Sequence, residues 1–206
     1  MPTLLPTRLP AGIGDRLGRT VARTGITPNM VSAIGFAGAT AAAWLISREE
    51  LLIGGIVFLA ASLLDLVDGA VARATGKASP YGAIFDAVLD RAGEAIVLTG
   101  VAWYFGRNDN ELGGVLAFTA LFGSVAVSYI RARAEIEGLE MREGLFRRQE
   151  RVAVLSIGLL FGLLIYAVGA IAVLANLTAL QRSWTVARHL RTADADSTSP
   201  NPQTRT

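Results

Sequence analysis

Two stretches that otherwise read as membrane helices carry four aspartates. The first runs Asp65-Leu66-Val67-Asp68-Gly69-Ala70-Val71-Ala72-Arg73, and the second Gly82-Ala83-Ile84-Phe85-Asp86-Ala87-Val88-Leu89-Asp90. One ionisable side chain at the centre of a membrane helix costs about 2.5–3.5 kcal/mol on insertion scales, so four of them demand compensation. Pairing with Arg73 and Arg91 is the simplest form of it, yet two guanidiniums do not neutralise four carboxylates. Divalent cations close the gap. Carboxylate oxygens are hard donors and select Mg²⁺ or Mn²⁺.

The spacing supports a shared pocket. On a helix Asp65 and Asp68 lie on one face, with Gly69 and Ala72 following on it. Gly82, Asp86 and Asp90 recur at intervals of four and form a second stripe. Two neighbouring helices joined by a short loop can point both stripes inward. Gly69, Ala72 and Gly82 remove bulk where a ligand would approach the backbone. Taken singly, such small residues are better explained by helix packing in lipid. Beside the aspartates, the pocket is the stronger explanation.

Composition requires the elements that would hold such a pocket to lie in a membrane. The chain has 206 residues, 52% of them hydrophobic, and a mean hydropathy of +0.46, more apolar than an ordinary soluble domain. The apolar runs are continuous, which fits helices and argues against an alternating β-barrel. No cysteine is present, so thiolate ligands, disulfides and cysteine nucleophiles are excluded. The one histidine, His189, sits between arginines near the C-terminus, and a histidine-based catalytic site is not expected. The net charge of +2 gives no reason to expect a nucleic-acid partner. Pro2, Pro6 and Pro10 interrupt the N-terminal segment, so no cleavable signal peptide is expected there.

The predicted fold is an all-α integral membrane protein of six transmembrane helices, preceded by an amphipathic juxtamembrane helix. Residues 1–28 form the juxtamembrane segment, with Ile13, Leu17 and Val21 opposite Arg16, Arg19 and Arg23. Residues 29–191 form the catalytic membrane domain. Its first four spans are about 30–47, 51–74, 81–105 and 112–136. From Arg148 to Leu190 no break is obvious, and one helix of that length would be about 64 Å long, twice the hydrocarbon thickness. Two spans are therefore predicted, turning near Tyr166–Gly169. Residues 192–206 are rich in Ser, Thr, Pro and Asp and are predicted to be disordered. Arg48 and Arg107 alone among the 19 Lys and Arg fall in the first two outer connections. Both termini and both aspartate pairs are thus expected on the cytoplasmic side of the cell membrane, the inner one where there are two.

The full spacing is D-x2-D-G-x2-A-R-x8-G-x3-D-x3-D, filled by Asp65, Asp68, Gly69, Ala72, Arg73, Gly82, Asp86 and Asp90. It resembles the signature of the CDP-alcohol phosphotransferase (CDP-alcohol phosphatidyltransferase) family and matches it at every defined position. The resemblance implies an integral-membrane enzyme, typically a homodimer, that displaces CMP from a CDP-linked lipid with an alcohol. It further implies that Asp65, Asp68 and Asp86 hold Mg²⁺ or Mn²⁺, two ions per site or one and a shared bridge, with Asp90 at the metals and as general base. Asp65, Asp68, Gly69, Ala72, Arg73 and Gly82 would then hold CDP-diacylglycerol. These roles agree with the chemistry, since two metals can clamp attacking and leaving oxygens and a base must reach the acceptor hydroxyl.

A second pattern bears on the acceptor. Ser128-Tyr129-Ile130-Arg131-Ala132-Arg133-Ala134-Glu135, then Phe146-Arg147-Arg148-Gln149-Glu150-Arg151, then Gln181-Arg182 resemble the phosphatidylinositol phosphate synthase branch and its archaetidylinositol phosphate counterpart. That resemblance implies inositol 1-phosphate as acceptor and Arg131, Arg148, Arg151 and Arg182 as ligands of its phosphate. Here Arg131 stands where the branch has Lys, and Gln149 where it has Pro; Arg for Lys keeps charge but changes hydrogen-bond geometry. Arg133, Arg142, Arg147 and Arg188 are assigned instead to topology and headgroup contact. Phosphatidylglycerophosphate synthesis is the runner-up within the family. Outside it, a divalent-cation transporter would also use intramembrane carboxylates, although the Gly, Ala and Arg between them and their place near one membrane face disfavour it.

Overall fold

A computed structural model of the chain describes residues 20, 25–75, 79–139, 141 and 146–198; for 66, 68–70, 73–75 and 193–198 it describes the backbone alone. The described residues form an all-helical bundle of α1 (Pro28–Ser47), α2 (Leu51–Thr75), α3 (Pro80–Arg107), α4 (Glu111–Ile136), α5 (Arg148–Leu160) and α6 (Leu164–Thr198). The predicted amphipathic helix over 1–28 falls almost wholly outside them.

The helix starts are written locally. Thr27 Oγ1 accepts from the Met30 N–H, and Pro28 takes the first turn, where no donor is needed. Ser79 and Pro80 repeat this at α3, with Ser79 Oγ accepting from the Gly82 N–H at 3.0 Å. Asn110 caps α4 through the Gly113 N–H at 2.8 Å. Glu150 reaches back to the Arg147 N–H at 3.0 Å and fixes the start of α5.

Four ends share one stop. The N–H groups of Glu50, Asn110, Leu139 and Leu163 donate to the carbonyls of Leu45, Phe105, Ala134 and Gly158, five residues back. Each closure places a residue with positive φ just before the donor: Glu49, Asp109, Gly138 and Gly162. The last of these corrects the predicted turn. The chain breaks at Phe161–Leu163 around Gly162, whose φ is +70°, whereas Tyr166 and Gly169 lie within α6. A second difference concerns the C-terminus, since α6 continues to Thr198, past the start of the predicted tail.

Helix α1 packs on α2 and α3, α4 on α3 and α6, and α5 on α2 and α6. The core is small where helices cross closely, with Ala39, Ala42 and Ala43 of α1 and Ala117 and Ala120 of α4, and bulky elsewhere, with Ile46, Val97, Phe105, Leu159 and Ile171. Large apolar residues cover the outside, among them Phe118, Phe122 and Leu180. Such a surface suits hydrocarbon and would associate in water. Trp44, Trp103 and Tyr166, all exposed, lie near one end of the bundle, and Tyr81, Tyr129 and Trp184 toward the other, as in the aromatic belts of membrane proteins.

Three helices, α1, α4 and α6 over Leu164–Thr192, are long and apolar enough to cross a membrane, and α2 adds a shorter apolar stretch, Leu51–Asp65. Helix α3 is long but carries Asp86, Asp90, Arg91 and Glu94. Helix α5 has 13 residues, about 20 Å of rise, less than the hydrocarbon core.

Candidate active site

A cleft of about 600 Å³, counting its open mouth, lies among α1, α2, α3 and α5, and Asp65, Asp86, Asp90, Glu94, Arg148 and Arg151 line it. Asp65 comes from α2, while Asp86 and Asp90 come from one stripe of α3, as their four-residue spacing predicts. Gly35 of α1 makes room: a Cβ there would collide with Asp65 Oδ1. Ser32, one turn before Gly35, donates from Oγ to Asp86 Oδ1 at 3.1 Å.

The carboxylates converge on a cation belonging to the chain. Arg148 Nη2 lies 2.6 Å from Asp65 Oδ2 and 3.0 Å from Asp90 Oδ1. Asp90 also has Arg91 Nη1 at 3.5 Å on its other oxygen. The predicted Asp–Arg91 pairing is therefore present, but Arg148, 83 residues from Asp65, carries most of the compensation. Arg148 was expected at the acceptor phosphate; in this structure it bridges Asp65 and Asp90. The side chains of Asp68, Gly69 and Arg73 lie outside the described residues; Ala72 follows on α2, half-buried. Gly82 lies in the first turn of α3 beside Ser79 and Asn29, one turn before Asp86.

Do these groups suit a divalent cation? Among the described residues no three Asp, Glu or His side chains surround a common metal position. The chemistry nevertheless fits. Oxygen donors from two helices already converge on a positive group, and that group is a guanidinium standing where a hard cation would bind.

One turn below Asp90, Glu94 is held by Arg151 in a two-pronged pair, Nε to Oε1 at 2.6 Å and Nη2 to Oε2 at 3.0 Å. The Arg151 side chain is 4% exposed, and its Nη1 is buried without a partner. Arg151 was expected to bind acceptor phosphate, but its fork is occupied by Glu94 in this structure. Removing one partner of a buried pair strands the other charge and costs about 3–5 kcal/mol. Glu94→Gln should therefore lower the melting temperature of the detergent-solubilised protein sharply, and the double change Glu94→Gln, Arg151→Gln should recover part of the loss. Equal melting for wild type and Glu94→Gln would show the pair to be dispensable.

The remaining arginines separate by burial. Arg182 is 5% exposed and donates from Nη1 to the Val127 carbonyl at 3.0 Å. Arg131, Arg147 and Arg151 are the cationic groups in its surroundings, with Glu135 the opposing carboxylate. Arg131 is half exposed and engaged with Glu135 at 2.8 Å, while Arg133 faces Glu137 at 3.7 Å. Arg147 was assigned to topology, yet it belongs to this cluster. Arg147 is the N-cap of α5, with extended backbone, and Arg148 is the first residue of the helix. The sequence reading also passed over Ser32, Gly35 and Glu94. Only Glu94 had a visible signal, since it extends the 82–86–90 stripe by one further step of four.

The family model described as CDP-alcohol phosphatidyltransferase matches residues 25–185. The chain belongs to the CDP-alcohol phosphatidyltransferase family. Membership makes it a transferase and removes the transporter alternative, and with the apolar helices it marks a multi-pass membrane protein. Among curated members, an archaetidylinositol phosphate synthase of Pyrococcus horikoshii is 35% identical over 181 residues, 85% of this chain and 92% of that one. A phosphatidylinositol phosphate synthase of Mycobacteroides abscessus is 34% identical over 164 residues, 78% of this chain and 74% of that one. Among solved structures, the phosphatidylinositol phosphate synthase of Mycobacterium tuberculosis with CDP-DAG bound superposes with a TM-score of 0.77 at 31% identity, covering 85% of this chain and 94% of that one. The same enzyme in complex with manganese and citrate gives 0.77 at 29%, covering 94% and 93%.

Proposed function

We propose that this CDP-alcohol phosphatidyltransferase moves a phosphatidyl group from CDP-diacylglycerol to inositol 1-phosphate, giving phosphatidylinositol phosphate and CMP. The observation that carries the reading is the adjacency of two unlike sites. A carboxylate cleft of Asp65, Asp86 and Asp90 adjoins a basic cluster around buried Arg182. The first suits a metal-bound diphosphate and the second an acceptor phosphate.

Asp65, Asp68 and Asp86, with Asp90 beside them, would hold Mg²⁺ or Mn²⁺, two ions per site. Bound there, the metal supplies charge neutralisation at the diphosphate and at the leaving CMP oxygen. The small residues Gly69, Ala72 and Gly82, with Arg73, would hold the CDP group. Asp90 takes the proton of the acceptor hydroxyl as that oxygen bonds to the lipid-bearing phosphorus. The bond from that phosphorus to the CMP oxygen then breaks. Arg182 and Arg131 orient the acceptor through its phosphate, and Arg148 and Arg151 join them if their carboxylates release them.

The same reading places six spans across the bilayer, with α5 embedded although short, in a homodimer. The basic residues put the cleft at the cytoplasmic face, open to water-soluble acceptor and laterally to lipid. A second reading changes only the lipid tail: the identity to the Pyrococcus enzyme favours transfer of an archaetidyl group to the same acceptor.

The test is CMP release by purified protein with Mg²⁺ and CDP-diacylglycerol, comparing inositol 1-phosphate with glycerol 3-phosphate. Strong preference for inositol 1-phosphate is expected. Preference for glycerol 3-phosphate would keep the carboxylate site and overturn the acceptor in favour of phosphatidylglycerophosphate synthesis.

A further inference from the structure

We propose that Arg148 is a built-in counter-cation that competes with the divalent metal for the carboxylate cleft, so that metal entry and Arg148 release are one coupled event. The inference rests on the metal-binding reading of Asp65, Asp86 and Asp90. One nitrogen, Nη2, bridges carboxylate oxygens from two different helices, at 2.6 Å to Asp65 and 3.0 Å to Asp90. The bridge ties α5 to both α2 and α3. Asp65 and Asp90 are 14% and 15% exposed, so water does little to stabilise their charges.

A metal ion coordinated by the same carboxylates competes with Nη2 for their negative charge and for the space between Asp65 Oδ2 and Asp90 Oδ1. Two cations a few ångströms apart in a poorly hydrated cleft also repel strongly. Arg148 must therefore leave when the metal enters. Among the described residues its ion pairs are those with Asp65 and Asp90, and its Nε is buried without a hydrogen-bond partner. Arg151, one turn on, is different, because both oxygens of Glu94 grip it. The two arginines thus have separate parts. Arg151 anchors α5 to α3, while Arg148 bridges Asp65 and Asp90 and gives way to a divalent cation. Only then does its guanidinium become available to an anion.

A competing internal cation raises the apparent metal Kd by the reciprocal of the fraction of time it is absent. Bridging for nine-tenths of the time or more corresponds to about tenfold or greater weakening. The test measures Mn²⁺ binding to full-length protein in detergent, without lipid or acceptor, by loss of the free Mn²⁺ electron-spin-resonance signal. Arg148→Gln and Arg148→Met should each bind Mn²⁺ about tenfold more tightly than wild type or better, and Asp65→Asn should bind it more weakly. Melting supplies a second readout if either variant is fragile. Without metal both Arg148 variants should melt below wild type, and Mn²⁺ should raise their melting temperature more than it raises that of wild type. Unchanged or weaker Mn²⁺ affinity in the Arg148 variants, or an equal Mn²⁺ shift in melting, would overturn the inference. If Asp65→Asn also leaves Mn²⁺ affinity untouched, the metal-site reading falls with it; if Asp65→Asn weakens binding, that reading stands alone.

Discussion

Asp90→Asn is expected to lower kcat by about 10²–10⁴-fold, the usual contribution of a positioned general base. CDP-lipid binding should stay largely intact. The substitution is nearly isosteric, and the Asn carbonyl oxygen can still accept from Arg148 Nη2, now 3.0 Å from Oδ1. What disappears is the ability to take a proton from the acceptor hydroxyl. Asp90 is well sited for that, since it lies on the cleft wall one turn beyond Asp86 on the same stripe. Steady-state CMP release, combined with equilibrium binding of CDP-diacylglycerol, separates the two effects. A variant that turns over at the wild-type rate would exclude Asp90 as the base, and one that loses lipid binding to the same degree would make it a structural group.

Arg182→Ala is the second large effect. The KM for inositol 1-phosphate should rise far more than that for CDP-diacylglycerol. Truncating one partner of a buried charge pair costs about 2–5 kcal/mol, or roughly 30-fold and upward in affinity. Arg182 fits such a role because it is 5% exposed and stands among Arg131, Arg147 and Arg151, with Glu135 nearby. A cluster of guanidiniums suits an anion such as a phosphate. Its Nη1 is already spent on the Val127 carbonyl, which fixes the orientation of the fork. Arg182→Lys should give an intermediate rise, because the charge is kept while the planar guanidinium is replaced by a point charge. Equal increases in both KM values would point to a general structural role.

Arg131 is expected to matter less. It is half exposed and already paired with Glu135 along its own helix, a type of ion pair that contributes little.

Much of this was readable in advance because it rests on local periodicity. Asp86 and Asp90 share a face by spacing alone, and the starts at Thr27-Pro28 and Ser79-Pro80 carry their own caps. The boundaries of α1 to α4 follow for the same reason. The break before α6 was harder, because Gly162 and Gly169 look alike in sequence. Only the first takes positive φ, where the Leu163 N–H closes back on Gly158. The partners of charged residues distant in sequence were not readable. Arg148 meets Asp65 across 83 residues, and Arg151 meets Glu94 across 57. The resemblance placed Arg148 at the acceptor phosphate and Arg147 at the membrane surface; in the structure Arg148 bridges Asp65 and Asp90, and Arg147 is among the charges around Arg182. Glu94 shows the opposite case. It continues the aspartate stripe, yet a buried Glu–Arg anchor and a further metal ligand leave the same mark in a sequence.

The most direct measurement compares inositol 1-phosphate with unphosphorylated inositol as acceptor, reading CMP release from CDP-diacylglycerol and Mg²⁺ by the purified wild-type protein. A basic cluster built around Arg182 predicts turnover with the phosphorylated acceptor and almost none with inositol at the same concentration. Comparable rates with both would show that the acceptor phosphate is not recognised, and would contradict the assignment of the arginine cluster.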